Sequence, residues 1–451
     1  SPLTTSELLG IHQNHILKLL STPYDTLTIS YPMTSLTGET LLPSSLYKQL
    51  TNMFTFQKLP ALKFLPIEDF YVQGGQSSDK YILNKHIAQY QATKNQPVQL
   101  PIDLAQNLYS SYLSVSQIET YNKCPFLYFI QYGLGVFPPQ EQKLMPNELG
   151  SLIHYVLSMT IDQEKDINHL VDQYIHDHDI LQQKISQQPL NQFFIEQLTD
   201  DLHMTLKVLK YFLKTGHFQV EYKEKKVLDQ IHDIAFKGFV DRIDTYDHYV
   251  SIIDYKSSAK NIDLNLAMQG FQIQMLIYLD MVTKMTQKDP GAVLYFNTKK
   301  RILSVQQNMN KPIEEDEWMK QYRYGGYVID DGSHQSLLNL DPTFDKRSSL
   351  IPVTYVKSKD EYKGQILTIE QLHILFDKIS EHIYELYQHM MEGHIEIAPK
   401  GSDQKATHTL VNPCFYCPYH SVCSFDVFYN DYQLVEFLDV DSILGGEEDA
   451  I

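Results

Sequence analysis

Apolar and polar positions alternate with a period of two over residues 218–256 and fall into helical spacing on either side. Within that stretch, "SIIDYKSS" (251–258) pairs isoleucines with a tyrosine and predicts a strand. The preceding "AFKGFVDRIDTYDHYV" predicts the other arm of a hairpin. Helices are expected at "ELGSLIHYVLSM" (148–159), through much of 160–215, at "LAMQGFQIQMLIYLDMV" (266–282), and from about Thr368 to Glu392, where Gly393 supplies a stop. "GAVLYFN" (291–297) predicts a further strand. Ser116 and Glu119 match a capping box ahead of a short helix, and the chain must turn at Cys124 because Pro125 disfavours helical backbone there. "PFLYFIQYGL" then restarts as an aromatic helix. Upstream, "YDTLTISYP" (24–32) predicts a strand and "LLPSSLYKQLTNMF" (41–54) a helix opened by Pro43 and a serine cap. A proline-rich connector spans 60–105. Strands mixed with helices predict an α/β architecture.

The chemistry concentrates at the end of the quoted strand, where Asp254 and Lys256 share one face. A four-residue loop, Thr245–His248, would set Asp244 opposite Tyr249 and Asp241 opposite Ile252. Asp254 then becomes the diagonal neighbour of Asp241, at roughly 7–8 Å between Cα atoms. A loop one residue longer would send the two acids to opposite faces. Two carboxylates around an open position suit Mg²⁺ or Mn²⁺, and Lys256 beside them suits negative charge developing on a phosphate. A D-x-K triplet alone is equally compatible with a salt-bridged strand end. His154 sits on a helix after a glycine. Gln274 and Tyr278 lie one turn apart on a helical face, with Gln272 as a rival to Gln274.

A length of 451 residues suggests about three domains. The net charge of −18 weighs against nucleic acid. Its distribution weakens that objection, since residues 221–301 hold twelve Lys/Arg against eleven Asp/Glu. That segment ends in Lys299-Lys300-Arg301, which alone reads as a solvated strand end. No GxxxxGK[ST] motif is present, so a P-loop ATPase site is not expected here. There is no run of 18 apolar residues and no basic leader, so neither membrane nor secretion is expected, and the cytoplasm is the expected compartment. The chain starts at Ser1 without methionine, as a fragment of a longer chain would. The acidic end, 431–451, is expected to be disordered.

Four cysteines remain. Cys414, Cys417 and Cys423 form C-x2-C-x5-C, and Cys124 stands far upstream in "YNKCPF". Four thiolates suit a tetrahedral Zn²⁺ site or an iron–sulfur cluster, and His420 could serve in the zinc case. Disulfides and inert buried thiols are the alternatives.

In combination and order, helical His154, GxxD ending at Asp241, D-x-K from Asp254 to Lys256, and QxxxY from Gln274 to Tyr278 resemble the RecB-like branch of the PD-(D/E)XK nucleases. The resemblance implies a restriction-endonuclease-like core, a mixed central sheet flanked by helices. It implies that Asp241 and Asp254 bind metal, that His154 contributes to that site, that Lys256 is catalytic, and that Gln274 and Tyr278 support the site or the DNA. An isolated cysteine before these motifs and a trio after them resemble the subset in which Cys124, Cys414, Cys417 and Cys423 would ligate a [4Fe–4S] cluster that staples the domain's ends. "LSVSQIETYNKCPFLYFIQYGLGV", "QMLIYLDM" and "CFYCPYHSVC" further resemble the B-subunit family of AddAB-type helicase–nucleases. "TLTISYP" and "GETLLPSSLYKQL" resemble the end of that family's helicase-like region. On this likeness, residues 1–112 would close a helicase-like region with its linker and 113–430 would be the nuclease domain. The whole enzyme would resect double-strand breaks for recombinational repair, with an AddA-type subunit as heterodimer partner and the B chain cutting the 5′-ended strand. The rival expectation is a DNA-end-binding scaffold that keeps the fold but has lost the chemistry; the presence of His154, Asp241, Asp254 and Lys256 together favours an enzyme. A stand-alone RecB-family exonuclease is a second rival, disfavoured by the helicase-like start.

Overall fold

The structure, a computed structural model, describes residues 98–109, 112–138, 144–257, 260–298, 322–401, 413–423, 425, 430–436 and 438–445, and positions 42–44, 47, 48, 50 and 51. The strand expected at 24–32 and the basic run 299–301 lie outside these residues. Two compact units divide the chain, Ser1–Lys85 and His86–Ile451. In the first, the Ser44 hydroxyl accepts from the Tyr47 amide at 3.2 Å, the expected serine cap.

The second unit is built on a seven-stranded mixed sheet. Its strands are β1 (Tyr112–Leu113), β2 (Gln219–Ile231), β3 (Ile234–Tyr246), β4 (Tyr249–Lys256), β5 (Asp289–Asn297), β6 (Gly325–Asp330) and β7 (Ile366–Thr368). Along the sheet the order is β1-β3-β4-β5-β6-β7, with β2 also paired to β3. The pairs β1–β3, β4–β5 and β6–β7 are parallel and the rest antiparallel. Central β4 is buried almost throughout, and its alternation divides two cores. Tyr249, Ile253 and Tyr255 pack with helices α2 (Pro146–Thr160) and α3 (Pro189–Thr215). Val250 and Ile252 pack with α1 (Val115–Lys123), α4 (Gln274–Thr286) and α5 (Ile369–Met391).

The hairpin differs from expectation in loop length. Tyr246 pairs with Tyr249, so the loop is two residues, Asp247–His248. Asp247 takes a φ of +49°, which aspartate tolerates better than most residues because its short side chain bonds locally. Here the Asp247 carboxylate accepts from His248 at 2.9 Å. The register therefore moves by two residues, which preserves the facing of side chains. Ile243 opposes Ile252 and Arg242 opposes Ile253, so continuing the register sets Asp241 directly opposite Asp254 rather than diagonal to it.

Three other expectations are corrected. The capping box is formed by Ser114 and Gln117 rather than Ser116 and Glu119. Glu119 instead accepts from the Ile273 amide at 2.9 Å, tying α1 to the start of α4. The helix expected over 266–282 is interrupted, with Leu264–Met268 followed by α4. Gly270 at φ +78° and Gln272 at φ +55° turn the chain between them. Finally, the tail from 431 contributes structure up to Gly445. Gln433–Leu434 pairs with Lys400–Gly401, and helix α6 (Val440–Gly445) buries Leu444 in the α5 core. Apolar Leu438, Val440 and Ile443 among the acids supply the surface for that packing.

Beside the hairpin, Arg242 and Asp244 form a buried bidentate pair. Arg242 Nε donates to Asp244 Oδ1 at 2.9 Å and Nη2 to Oδ2 at 2.7 Å; Nη2 also donates to the Tyr324 hydroxyl at 2.9 Å. Asp244→Ala would strand a buried guanidinium, so it is expected to cost about 3–5 kcal/mol of unfolding free energy. Urea denaturation checks this; a loss below about 1 kcal/mol would show that the pair does not hold β3 in place.

Candidate active site

Strand β3 has a full partner in β2 on one edge. Its other edge is shared, with β1 at Ala235–Phe236 and β4 from Arg242 onward. Residues 237–241 lie in the gap between those two ladders. Tyr278 of α4 fills it. Its hydroxyl accepts from the Phe239 amide and from Gln274, and its ring lies where a Cβ on Gly238 would sit, 2.4 Å away. The glycine of GxxD is thus needed for close approach, and Tyr278 and Gln274 position β3 just ahead of Asp241. Gln272 points elsewhere and accepts from the Asp263 amide at 3.3 Å.

At the end of the gap the charged groups converge. Asp241, nearly buried, accepts from the Tyr255 amide through Oδ2 at 2.9 Å. His154, from α2, has Nδ1 at 3.1 Å from Asp241 Oδ1, and its Nε2 lies 3.1 Å from the Tyr255 carbonyl. The carbonyl and the Asp241 carboxylate each accept only from an N–H, so without a cation both ring nitrogens donate; an ion held at Nδ1 would replace the proton there while Nε2–H stays on the Tyr255 carbonyl. Lys256 Nζ stands 2.6 Å from Asp254 Oδ2, an ion pair that partly offsets the charge of that buried carboxylate.

A fourth residue here was not foreseen. Glu224 of β2 lies opposite Asp241, between the pairs Lys223–Arg242 and Lys225–Val240, and takes a φ of +46°. Such backbone is costly for glutamate and is found where surroundings impose it. One carboxylate oxygen lies 4.0 Å from His154 Nδ1, and Glu224, His154 and Asp241 have ligand atoms within 4.8 Å of one another. Glutamate among the alternating lysines of "VEYKEKKVL" carries no signal for this role, because the kink that turns it is tertiary.

The electrostatics fit a cation. Burial and then the Asp241 charge push the Asp254 carboxyl up, against the lowering effect of Lys256. Burial and Asp241 also raise Glu224. For His154, burial pulls the pKa down, but Asp241, Asp254 and Glu224 outweigh it and the net shift is upward. Excess negative charge that nearby cations only partly offset, with ligand atoms of Asp241, Glu224 and His154 close together, suits a divalent metal ion. An open groove of about 510 Å³, lined by Gly150, Ser151, His154, Tyr155 and Glu224, gives access. A second group, His389, His394 and Glu396, suits an ion less well. Its imidazoles stack with centroids 3.7 Å apart and planes 8° from parallel, so one ion cannot lie in both ring planes.

The four cysteines, free of disulfides, line one apolar cavity with Phe126, Leu127, Pro399, His420 and Phe425. Cys124 enters it where α1 ends, at the turn before Pro125. Burial pushes its thiol up to about 12, opposed by amides of Leu127, Ala398 and Phe126 directed at the sulfur. Burial likewise pushes Cys414 up to about 11. Protonated thiols in an apolar cavity with amides aimed at sulfur are a donor set that a metal ion or cluster would ionise. The Tyr419 hydroxyl donates to the Val136 carbonyl at 2.6 Å, fastening the C-terminal knuckle to the N-terminal end of the unit.

Among the described residues no helix is long and apolar enough to cross a membrane. Known proteins resemble this chain over most of its length. The B subunit of an ATP-dependent helicase/deoxyribonuclease from Clostridium kluyveri is 29% identical over 73% of this chain and 32% of its own length. Proteins of the same description from Clostridium acetobutylicum and Clostridioides difficile are each 28% identical, over 72% and 70% of this chain. The chain spans about a third of the length of these curated relatives. A solved structure described as a putative exonuclease from Eubacterium rectale covers 47% of this chain and 79% of its own at 17% identity, but its TM-score of 0.29 is too low to define a common fold. The model of one family, described as the PD-(D/E)XK nuclease superfamily, matches residues 112–424. With more than half of its residues in that match, the chain belongs to the PD-(D/E)XK nuclease superfamily.

Proposed function

We propose that this chain is the nuclease-bearing part of the B chain of an ATP-dependent helicase/deoxyribonuclease and hydrolyses DNA phosphodiesters at a Mg²⁺ or Mn²⁺ site. The observation that supports this reading is the hairpin register, paired as far as Arg242–Ile253, which continued by one residue would face Asp241 with Asp254, Lys256 standing two residues on. Asp241, Asp254 and His154 would hold the ion, with Glu224 within reach. When bound, the ion supplies Lewis-acid polarisation of a phosphoryl oxygen and acidifies a water. The Tyr255 carbonyl orients His154. Lys256 would offset charge developing on the scissile phosphate. Gln274 and Tyr278 keep β3 in position without touching the reacting atoms. The four cysteines would hold a [4Fe–4S] cluster, with Zn²⁺ as the alternative, and so fasten the two ends of a nuclease domain of about 113–430. The segment ahead of it would close a helicase-like region. In this reading the enzyme works in the cytoplasm with an AddA-type partner, resects double-strand breaks for recombinational repair, and cuts the 5′-ended strand.

Asp254→Asn is expected to abolish Mg²⁺-dependent cleavage of end-labelled DNA while leaving the circular-dichroism spectrum unchanged. Lys256→Ala should slow single-turnover cleavage by about 10²–10³ and largely spare DNA affinity. Cleavage at the wild-type rate by the Asn variant would remove Asp254 from the mechanism.

The metal site should also show in stability. Asp254 is raised above its unfolded value, so its contribution to stability is lost as pH rises from about 4 through its folded pKa. His154 is raised too, so its contribution is present below about 6.5 and lost above its folded pKa. Both losses come from removing protons, which a bound cation replaces. The rise in Tm on adding Mg²⁺ or Mn²⁺ should therefore grow between pH 5.5 and 8. A pH-independent rise would place the ion elsewhere.

Protein purified without oxygen should contain about four iron and four sulfide per chain. About one zinc and no iron would favour the zinc alternative; neither metal in a stably folded protein would end both.

A further inference from the structure

The β2–β3 ribbon presents a solvent-facing surface that begins beside the carboxylates. Its alternation turns Val227, Ile231, Phe236 and Val240 into the core. The same alternation turns Lys226, Leu228, Lys237 and Phe239 outward. The register pairs Lys226 with Phe239 and Leu228 with Lys237 across the strands. Phe239 is 59% exposed and Leu228 is 58% exposed. An outward phenylalanine set between lysines adds nothing to the core beneath it. Its backbone is nevertheless firmly held, since the Phe239 amide donates to the buried Tyr278 hydroxyl. Phe239 precedes Asp241 by two residues, or roughly 7 Å along a strand. A rigid aromatic ring with flanking cations, next to a phosphodiester-cleaving site, is the composition of a platform for single-stranded nucleic acid, where bases stack and lysines meet phosphates. Duplex fits less well, because its bases are already stacked on one another. The lysines also lie in the near-neutral stretch 221–301 of a chain whose net charge is −18, so charge favours DNA here over most of the rest of the chain.

We infer that this ribbon face guides single-stranded DNA into the cleavage site, with a base stacked on Phe239 and Lys226 and Lys237 contacting the adjoining phosphates. The inference rests on the nuclease reading and adds the path and form of its substrate. All three side chains point to solvent, so their replacement should leave the fold intact.

The test uses the full 451-residue chain and a short fluorescein-labelled single strand, read by anisotropy in EDTA so that binding is measured without cleavage. Phe239→Ala should weaken binding by about 10-fold, the loss of one stacked base, and Phe239→Trp should retain wild-type affinity. The pair Lys226→Ala and Lys237→Ala should flatten the dependence of log affinity on log salt by about 0.7 for each lysine. If wild-type protein binds and cuts DNA while both alanine variants keep its affinity and salt slope, the ribbon path is wrong and the nuclease reading stands. Wild-type protein that neither binds nor cuts DNA would overturn both.

Discussion

The site depends on the register of one hairpin. A two-residue turn joins β3 to β4, and Asp247 can adopt the left-handed backbone that so tight a turn requires. From that turn each side chain of both strands is assigned a neighbour. Arg242 and Asp244 go to one core, where they satisfy each other and two tyrosines. Ile243 and Ile252 go to the other. The acids at 241 and 254 then fall on one face at the point where the sheet opens. A slip of one residue would bury charged groups among apolar ones on both faces, so the cores defend the register that builds the site.

Bringing two carboxylates together is unfavourable by itself, and the surroundings restrain them. The Tyr255 amide and His154 hold Asp241, and Lys256 lies against Asp254. Tyr278 packs closely over Gly238, just ahead of Asp241. Glu224 accepts a strained backbone opposite Asp241. Strain and like-charge crowding occur at one place, while the cores on both sides are conventionally packed. Such a concentration of locally unfavourable features is what a site maintained for function looks like.

Much of this was legible in the sequence, because the signals are short-range. Strand and helix periods, the glycine at 238, the D-x-K spacing and the helical His154 are properties of neighbouring residues. The acids came out on one face even though the expected loop was two residues too long, since side-chain facing depends only on parity. What escaped was tertiary. Glu224 becomes a site residue through a backbone kink. Glu119 serves α4 rather than its own helix. Leu444 finds a core in a stretch that reads as acidic tail. Sequence spacing likewise does not reveal that Cys124 meets the other three cysteines in an apolar cavity, since the contact spans nearly the whole unit.

The central claim is that this register builds a single metal-binding centre. Anomalous diffraction from crystals grown with Mn²⁺ tests it most directly. The account predicts an ion about 2.0–2.2 Å from carboxylate oxygens of both Asp241 and Asp254, with His154 Nδ1 in the same shell. An ion bound without Asp254, or an empty site at saturating Mn²⁺ with the side chains positioned as described, would contradict it.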